Sequence, residues 1–266
     1  MARTPKEKPK PPEWSHLLHE AVSKKGALLG AYRAFHNYSL GNQFIAWMEC
    51  QKRGIKPGPI ATYTGWKSKG RQVDRGQKAI SLLMPITYKK KVKDSDGNET
   101  EEPRQSFIFR PNWFVMSQTS GETVEPDPVP DWHRGRALEA LAVSEAPFDL
   151  TDGNVQGFAR GHTIAINPVA QLPAKTTFHE LGHVLLGHTV SSVVNDAEAL
   201  PQSLREAEAE AVALICLEVL ELPGAEFCRG YIQNWLQGAE IPESSARRIF
   251  KAADSIIKAG QDTTKQ

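Results

Sequence analysis

The sequence predicts an α+β protein of two domains: a small one of helices and an antiparallel sheet, then a mainly helical one with a short sheet. Three observations predict it. Apolar residues recur at helical spacing near both ends of the chain, with strand-like runs between about residues 79 and 116. Residues 121–131 are rich in proline and acid and read as a linker. The charge also divides there. Residues 1–120 hold 21 Lys and Arg against 10 Asp and Glu, and residues 121–266 hold 11 against 21, so a net charge of +1 conceals halves of +11 and −10. That asymmetry points one half at a polyanion. A length of 266 residues suits one large domain or two small ones.

Residues 1–11, basic and proline-rich without an apolar run, are expected to be a disordered arm and not a secretory signal. From Pro12 to about Ala34, Trp14, Leu17, Leu18, Ala21 and Val22 keep helical spacing, with Gly26 and Gly30 as interruptions. Ser39 can cap a second helix carrying Phe44, Ile45 and Met48, which Gly54 stops. Residues 61–70 read as a short helix, Arg75-Gly76 as a turn, and residues 79–92 as a strand. Asp96-Gly97 signals a hairpin, with return strands at Arg104–Arg110 and Trp113–Met116.

Beyond the linker, residues 132–142 read as a helix and Thr163–Asn167 as a strand where an extended peptide could add. Pro173 opens the next helix, and a loop covers about residues 191–202. A glutamate-rich helix then runs to Leu220, where Pro223-Gly224 breaks the chain. Helices near 226–236 and 244–258 close the domain, which ends at about residue 260, leaving 261–266 as a tail. Cys50, Cys216 and Cys228 are odd in number and widely spaced, which argues for reduced thiols in a cytoplasmic protein. No apolar run approaches membrane-spanning length.

The stretch from Thr177 to Leu186 sets His179, Glu180 and His183 among Phe178, Leu181, Val184 and Leu185. Residues four apart on a helix lie about 40° out of line, so both imidazoles leave one face and can share a metal ion. Buried polar groups there are costly unless paired or metal-bound. The spacing is the His-Glu-x-x-His of zinc hydrolases, with His179 and His183 as Zn²⁺ ligands and Glu180 as general base. A third protein ligand is needed. His188 projects about 140° from His183 and is a poor candidate. Glu206 and Glu210 share a face of the small-residue helix at 205–216, and the residues alone leave either as the ligand. We assign Glu206, with Glu210 accepting a hydrogen bond from the far nitrogen of a ligating histidine.

In the basic half, aromatic residues alternate with cations, as a groove for single-stranded nucleic acid needs: bases stack and phosphates meet positive charge. Tyr63, Trp66, Lys67, Lys69, Arg71, Arg75 and Lys78 are the candidate contacts. Ordinary burial preference nevertheless puts most such aromatics in a core.

Taken whole, residues 12–258 resemble the ArdC-type antirestriction proteins of conjugative plasmids and, at the amino-terminal end, plasmid TraC primases. The likeness lies in Tyr38 to Gln43, Gly65-Trp66 through Val73, Arg75 to Ile80 and Phe114 to Gly121. It continues in His179-Glu180-Leu181-Gly182-His183, in Glu206 to Ala213, and in Tyr231-Ile232 with Trp235-Leu236. The resemblance implies a single-stranded DNA-binding domain at 12–120 and a zincin-like metallopeptidase domain at 132–260, acting on an unknown protein substrate. Its implied role is protecting incoming plasmid or phage DNA from host restriction. Two other readings stay open. One is a DNA-coating protein whose metal domain is structural or regulatory, and the other a peptidase whose basic half is merely solvated.

Overall fold

A computed structural model describes residues 10–93, 99–150, 154–189, 200–236 and 241–262. The arm up to residue 9, the Asp96-Gly97 turn and residues 263–266 of the tail lie outside the described residues. By packing, Met48–Pro126 belong to one unit, and Glu13–Trp47 with Asp127–Gln266 to a second.

In the first unit the long elements are β3 (Ile80–Lys93) and β4 (Glu99–Val115), joined by β1 (Ile60–Thr62), α4 (Tyr63–Ser68), β2 (Arg71–Val73) and β5 (Thr119–Gly121). One sheet has the order β1-β4-β3, and β2 pairs with β5. The two return strands expected after the hairpin are one continuous strand, β4. It carries Pro103 and Pro111, and β3 carries Pro85, because β1 meets β4 only at Trp113–Val115 and the rest is a two-stranded ribbon. Free edges on such a ribbon tolerate a residue without an N–H. Lys89 bonds Glu101 at 3.1 Å, and Lys90 stands opposite Glu102, so the lysine run is matched across the ribbon. Helix α4 is capped by the Thr62 hydroxyl, which accepts from the Gly65 amide at 3.1 Å.

The second unit holds α1 (Trp14–Ser23), α2 (Ala27–Phe35) and the start of α3 (Leu40–Arg53). With them are α5 (Arg134–Ala140), β6 (Ser144–Glu145), β7 (Gly157–Arg160), β8 (Thr163–Ile166) and α6 (Pro173–Leu185). The unit ends in α7 (Gln202–Val219), α8 (Ala225–Leu236) and α9 (Glu243–Gly260). Gly26, at φ 81°, divides α1 from α2. Every residue of α7 from Ala207 to Val219 is buried, so this helix is the centre of the core. Trp14 and Phe44 lie 5.6 and 6.3 Å from Phe250 of α9, and the Leu40 amide donates to Asp254 at 2.8 Å. These contacts put residues 13–47 with the carboxy-terminal half, where sequence alone drew a single boundary at the linker. The short sheet has the order β6-β8-β7, so the expected strand at 163–167 is the middle strand and β7 is an edge.

Candidate metal centre

Helices α6 and α7 touch where Gly182 faces Ala209. A Cβ on Gly182 would lie 3.1 Å from the Ala209 Cα and 3.2 Å from its carbonyl oxygen, so the spacing depends on the missing side chain. That closeness lets a carboxylate on α7 reach the imidazoles on α6. Glu206 Oε2 lies 3.3 Å from His179 Nε2 and 3.5 Å from His183 Nε2, and the two nitrogens are 3.1 Å apart. Among the described residues this is the one group of three His, Cys, Asp or Glu with ligand atoms all within 4.8 Å of each other.

Each histidine is held from behind. Glu210, 1 % exposed, lies 2.8 Å from His179 Nδ1 and takes Lys175 Nζ at 2.8 Å on its other oxygen. His183 Nδ1 lies 3.0 Å from His188 Nδ1, and His188 Nε2 lies 2.8 Å from Glu208, which is fully buried and bonded to Arg248 at 2.7 Å. A carboxylate only accepts, and this fixes the tautomers. His188 donates to Glu208 from Nε2, so its Nδ1 accepts from His183 Nδ1–H. His179 likewise donates from Nδ1 to Glu210. In the neutral rings both Nε2 lone pairs are then aimed at the same point, and the donor set of two imidazoles and a carboxylate fits a divalent metal.

The same carboxylates also favour a proton on His179: burial works against an imidazolium, yet contacts to Glu206 and Glu210 prevail and raise its pKa to about 9, so a metal ion would compete with that proton for Nε2. Contacts with His179 and His183 hold Glu206 well below the ordinary carboxylate range. Burial disfavours the charge on Glu210, but His179 and Lys175 outweigh it and lower its pKa to about 2. Glu180 differs: burial pushes its pKa up, and among the described residues it makes no hydrogen bond.

Strand β7 presses against α6 beside this group. A Cβ on Gly157 would fall 2.6 Å from Thr176 Cγ2, 2.9 Å from the Ala165 carbonyl and 3.4 Å from Glu180 Cγ. The cleft has two lobes, both touching His179, Glu180, Glu206 and Gly157. The larger, about 720 Å³, reaches Val155, Gln156 and α8; the smaller, about 370 Å³, reaches Phe158, Ala159 and Arg205.

Sequence reasoning missed Lys175, His188, Glu208 and Arg248. His188 was set aside as a ligand, yet it backs His183. The helix ends at Leu185, and Gly187, at φ 77°, turns the chain so that the His188 amide donates to the His183 carbonyl at 2.9 Å.

Two of the DNA candidates need correction. Trp66 is 1 % exposed and its indole N–H donates to the Phe114 carbonyl at 2.7 Å, so no base can stack on it. The Arg71 guanidinium is spent on Thr119, Gly121 and Glu122, which clamp β2 to β5. Tyr63 is 46 % exposed, its hydroxyl accepting from Gln72 at 2.7 Å. Lys67, Lys69, Arg75 and Lys78 are exposed and have no carboxylate partner among the described residues.

Residues 13–112 match the N-terminal domain of anti-restriction factor ArdC, and residues 140–227 match the IrrE N-terminal-like domain of the M78 peptidase family. The metal-free crystal structure of the antirestriction ArdC protein from R388 plasmid superposes with a TM-score of 0.50 and 19 % identity, over 93 % of this chain and 94 % of that one. The Mn(II)-bound structure of that protein gives 0.50 and 15 %, over 94 % and 99 %. At such identities the likeness is one of fold. No curated protein matches the chain in sequence. Among the described residues no helix is long and apolar enough to cross a membrane.

Proposed function

We propose, for a chain with the two-domain architecture of the ArdC antirestriction proteins, that its basic half binds single-stranded DNA and its metal centre hydrolyses a polypeptide, in defence of incoming DNA against restriction. The observation that carries the peptidase reading is the convergence of two tautomer-fixed Nε2 atoms on the Glu206 carboxylate. His179, His183 and Glu206 would hold the ion, and two imidazoles with one carboxylate favour zinc over the harder manganese. When bound, zinc supplies Lewis acidity, polarising a scissile carbonyl and acidifying water. Glu180 takes a proton from the attacking water and passes it to the leaving amine as the C–N bond breaks and the new C–O bond forms. Burial raises the basicity this role needs, and it outweighs the favourable charges of His179, His183 and Lys175. The outer edge of β7, unpaired by any strand among the described residues, is the rail on which an extended substrate would lie, in place of the middle strand at 163–167.

Glu180→Gln should keep the metal and the melting temperature while lowering cleavage at least about 100-fold. The same variant, used as bait, should retain partners that the wild type releases cut. Cleavage at the wild-type rate by this variant would remove Glu180 from the mechanism.

Lys67, Lys69, Arg75 and Lys78, beside the exposed Tyr63, support the DNA reading. The logarithm of affinity should fall linearly with the logarithm of salt, and Lys78→Ala should make that slope shallower by about 0.7. An unchanged slope for Lys78→Ala, or equal affinity for duplex, counts against these contacts.

A further inference from the structure

Resting on the peptidase reading, we infer that the larger lobe of the metal cleft is a subsite for a bulky apolar or aromatic residue, the one following the bond to be cut, and that Phe227 and Tyr231 select it. Both rings come from α8, four residues apart and so on one face, and both line this lobe. Phe227 is 61 % exposed and Tyr231 40 %, so both rings offer apolar surface to this lobe. Leu172 and Thr176 line the same lobe.

Charge decides what that cover is. Glu180, Glu206 and Glu210 line the lobe, while Lys175 is already matched by Glu210 at 2.8 Å. A nucleic acid strand would bring phosphates to these carboxylates, whereas an uncharged polypeptide segment meets no such repulsion. Direction follows from β7. The chain passes from the larger lobe at Val155–Gly157 to the smaller at Phe158–Ala159. A strand added antiparallel, the slightly more stable pairing, runs the other way. Its amino-terminal side then fills the smaller lobe and its carboxy-terminal side the larger one, against the two rings.

The probes are a pair of peptide-like hydroxamates that engage the metal and extend only to the carboxy-terminal side, one with a benzyl side chain and one with hydrogen there. Calorimetry on zinc-loaded full-length protein reads binding without turnover. The benzyl form should bind at least about tenfold tighter, since it buries most of an aromatic side chain. Phe227→Ala with Tyr231→Ala should bring the pair within about threefold while leaving the hydrogen form, the zinc content and the melting temperature unchanged. Phe227→Leu should restore part of the preference. Equal binding of the two probes by wild type overturns the subsite. A preference that survives the double variant removes Phe227 and Tyr231 from it. Failure of zinc-loaded protein to bind either probe refutes the underlying reading of the cleft.

Discussion

Replacing Glu206 with alanine is expected to abolish stable zinc binding, whereas replacing Glu210 should only weaken it. Among the described residues, Glu206 is the carboxylate with an oxygen 3.3 and 3.5 Å from the two Nε2 atoms. Glu210 bonds His179 on the far nitrogen, Nδ1, so its loss releases the ring's orientation but removes no ligand. Losses behind a ligand typically cost 10–100-fold in metal affinity. His188→Phe belongs to the same class: it leaves Nδ1 of His183 without its acceptor and takes one donor from the buried Glu208, which keeps Arg248. His188→Gln, which can accept from His183 and donate to Glu208, should recover much of the affinity. Competition with a chelator, followed by elemental analysis, ranks the four variants. Zinc retained by Glu206→Ala and lost by Glu210→Ala would reverse the assignment by one helical turn.

Trp66→Ala is expected to unfold the first unit and not to act on DNA contacts alone. The ring is 1 % exposed, its N–H is bonded to Phe114, and Arg71 lies 5.9 Å from its ring centroid. Truncating a core tryptophan costs about 3–5 kcal/mol. It also leaves the Phe114 carbonyl without this donor. Thermal melting by circular dichroism should show a lowered transition, and single-stranded DNA affinity should fall with it. A variant that melts like wild type and loses only DNA affinity would return Trp66 to the binding surface.

The sequence makes the proposed metal ligands legible because they obey helical period: His179 and His183 on α6, Glu206 one turn from Glu210 on α7. It conceals His188, whose place depends on Gly187 leaving the helix at a positive φ, a feature no spacing encodes. Strand β7 is equally hidden, being four residues long and recognisable only from the close approach of Gly157 to α6. Trp66 and Arg71 misled because aromatic and basic residues interleave in a core edge just as they do in a binding groove. The turn at Gly26 follows directly from glycine chemistry. The association of residues 13–47 with α7 and α9 does not, since it is set by contacts far apart in the chain, such as Gly26 with Glu218 at a separation of 192 and Leu40 with Asp254 at 214.

That long reach has a consequence for how the protein is made. Ser15 bonds Glu243 across 228 positions, and the Tyr32 hydroxyl meets Gln261 across 229. At about 5–20 residues per second, ribosomal synthesis separates these partners by roughly 10–45 seconds. During that interval α1 and α2 are out of the exit tunnel with Leu17, Leu18 and Leu28 still lacking their final core. Pairings so distant in the chain also fold slowly, since the loop must close before they return anything. Arg248, which anchors Glu208 behind His188 and His183, lies on α9. The nascent chain therefore lacks a complete support for His183 until α9 emerges, and in the proposed peptidase the hydrolytic centre stays unfinished until then.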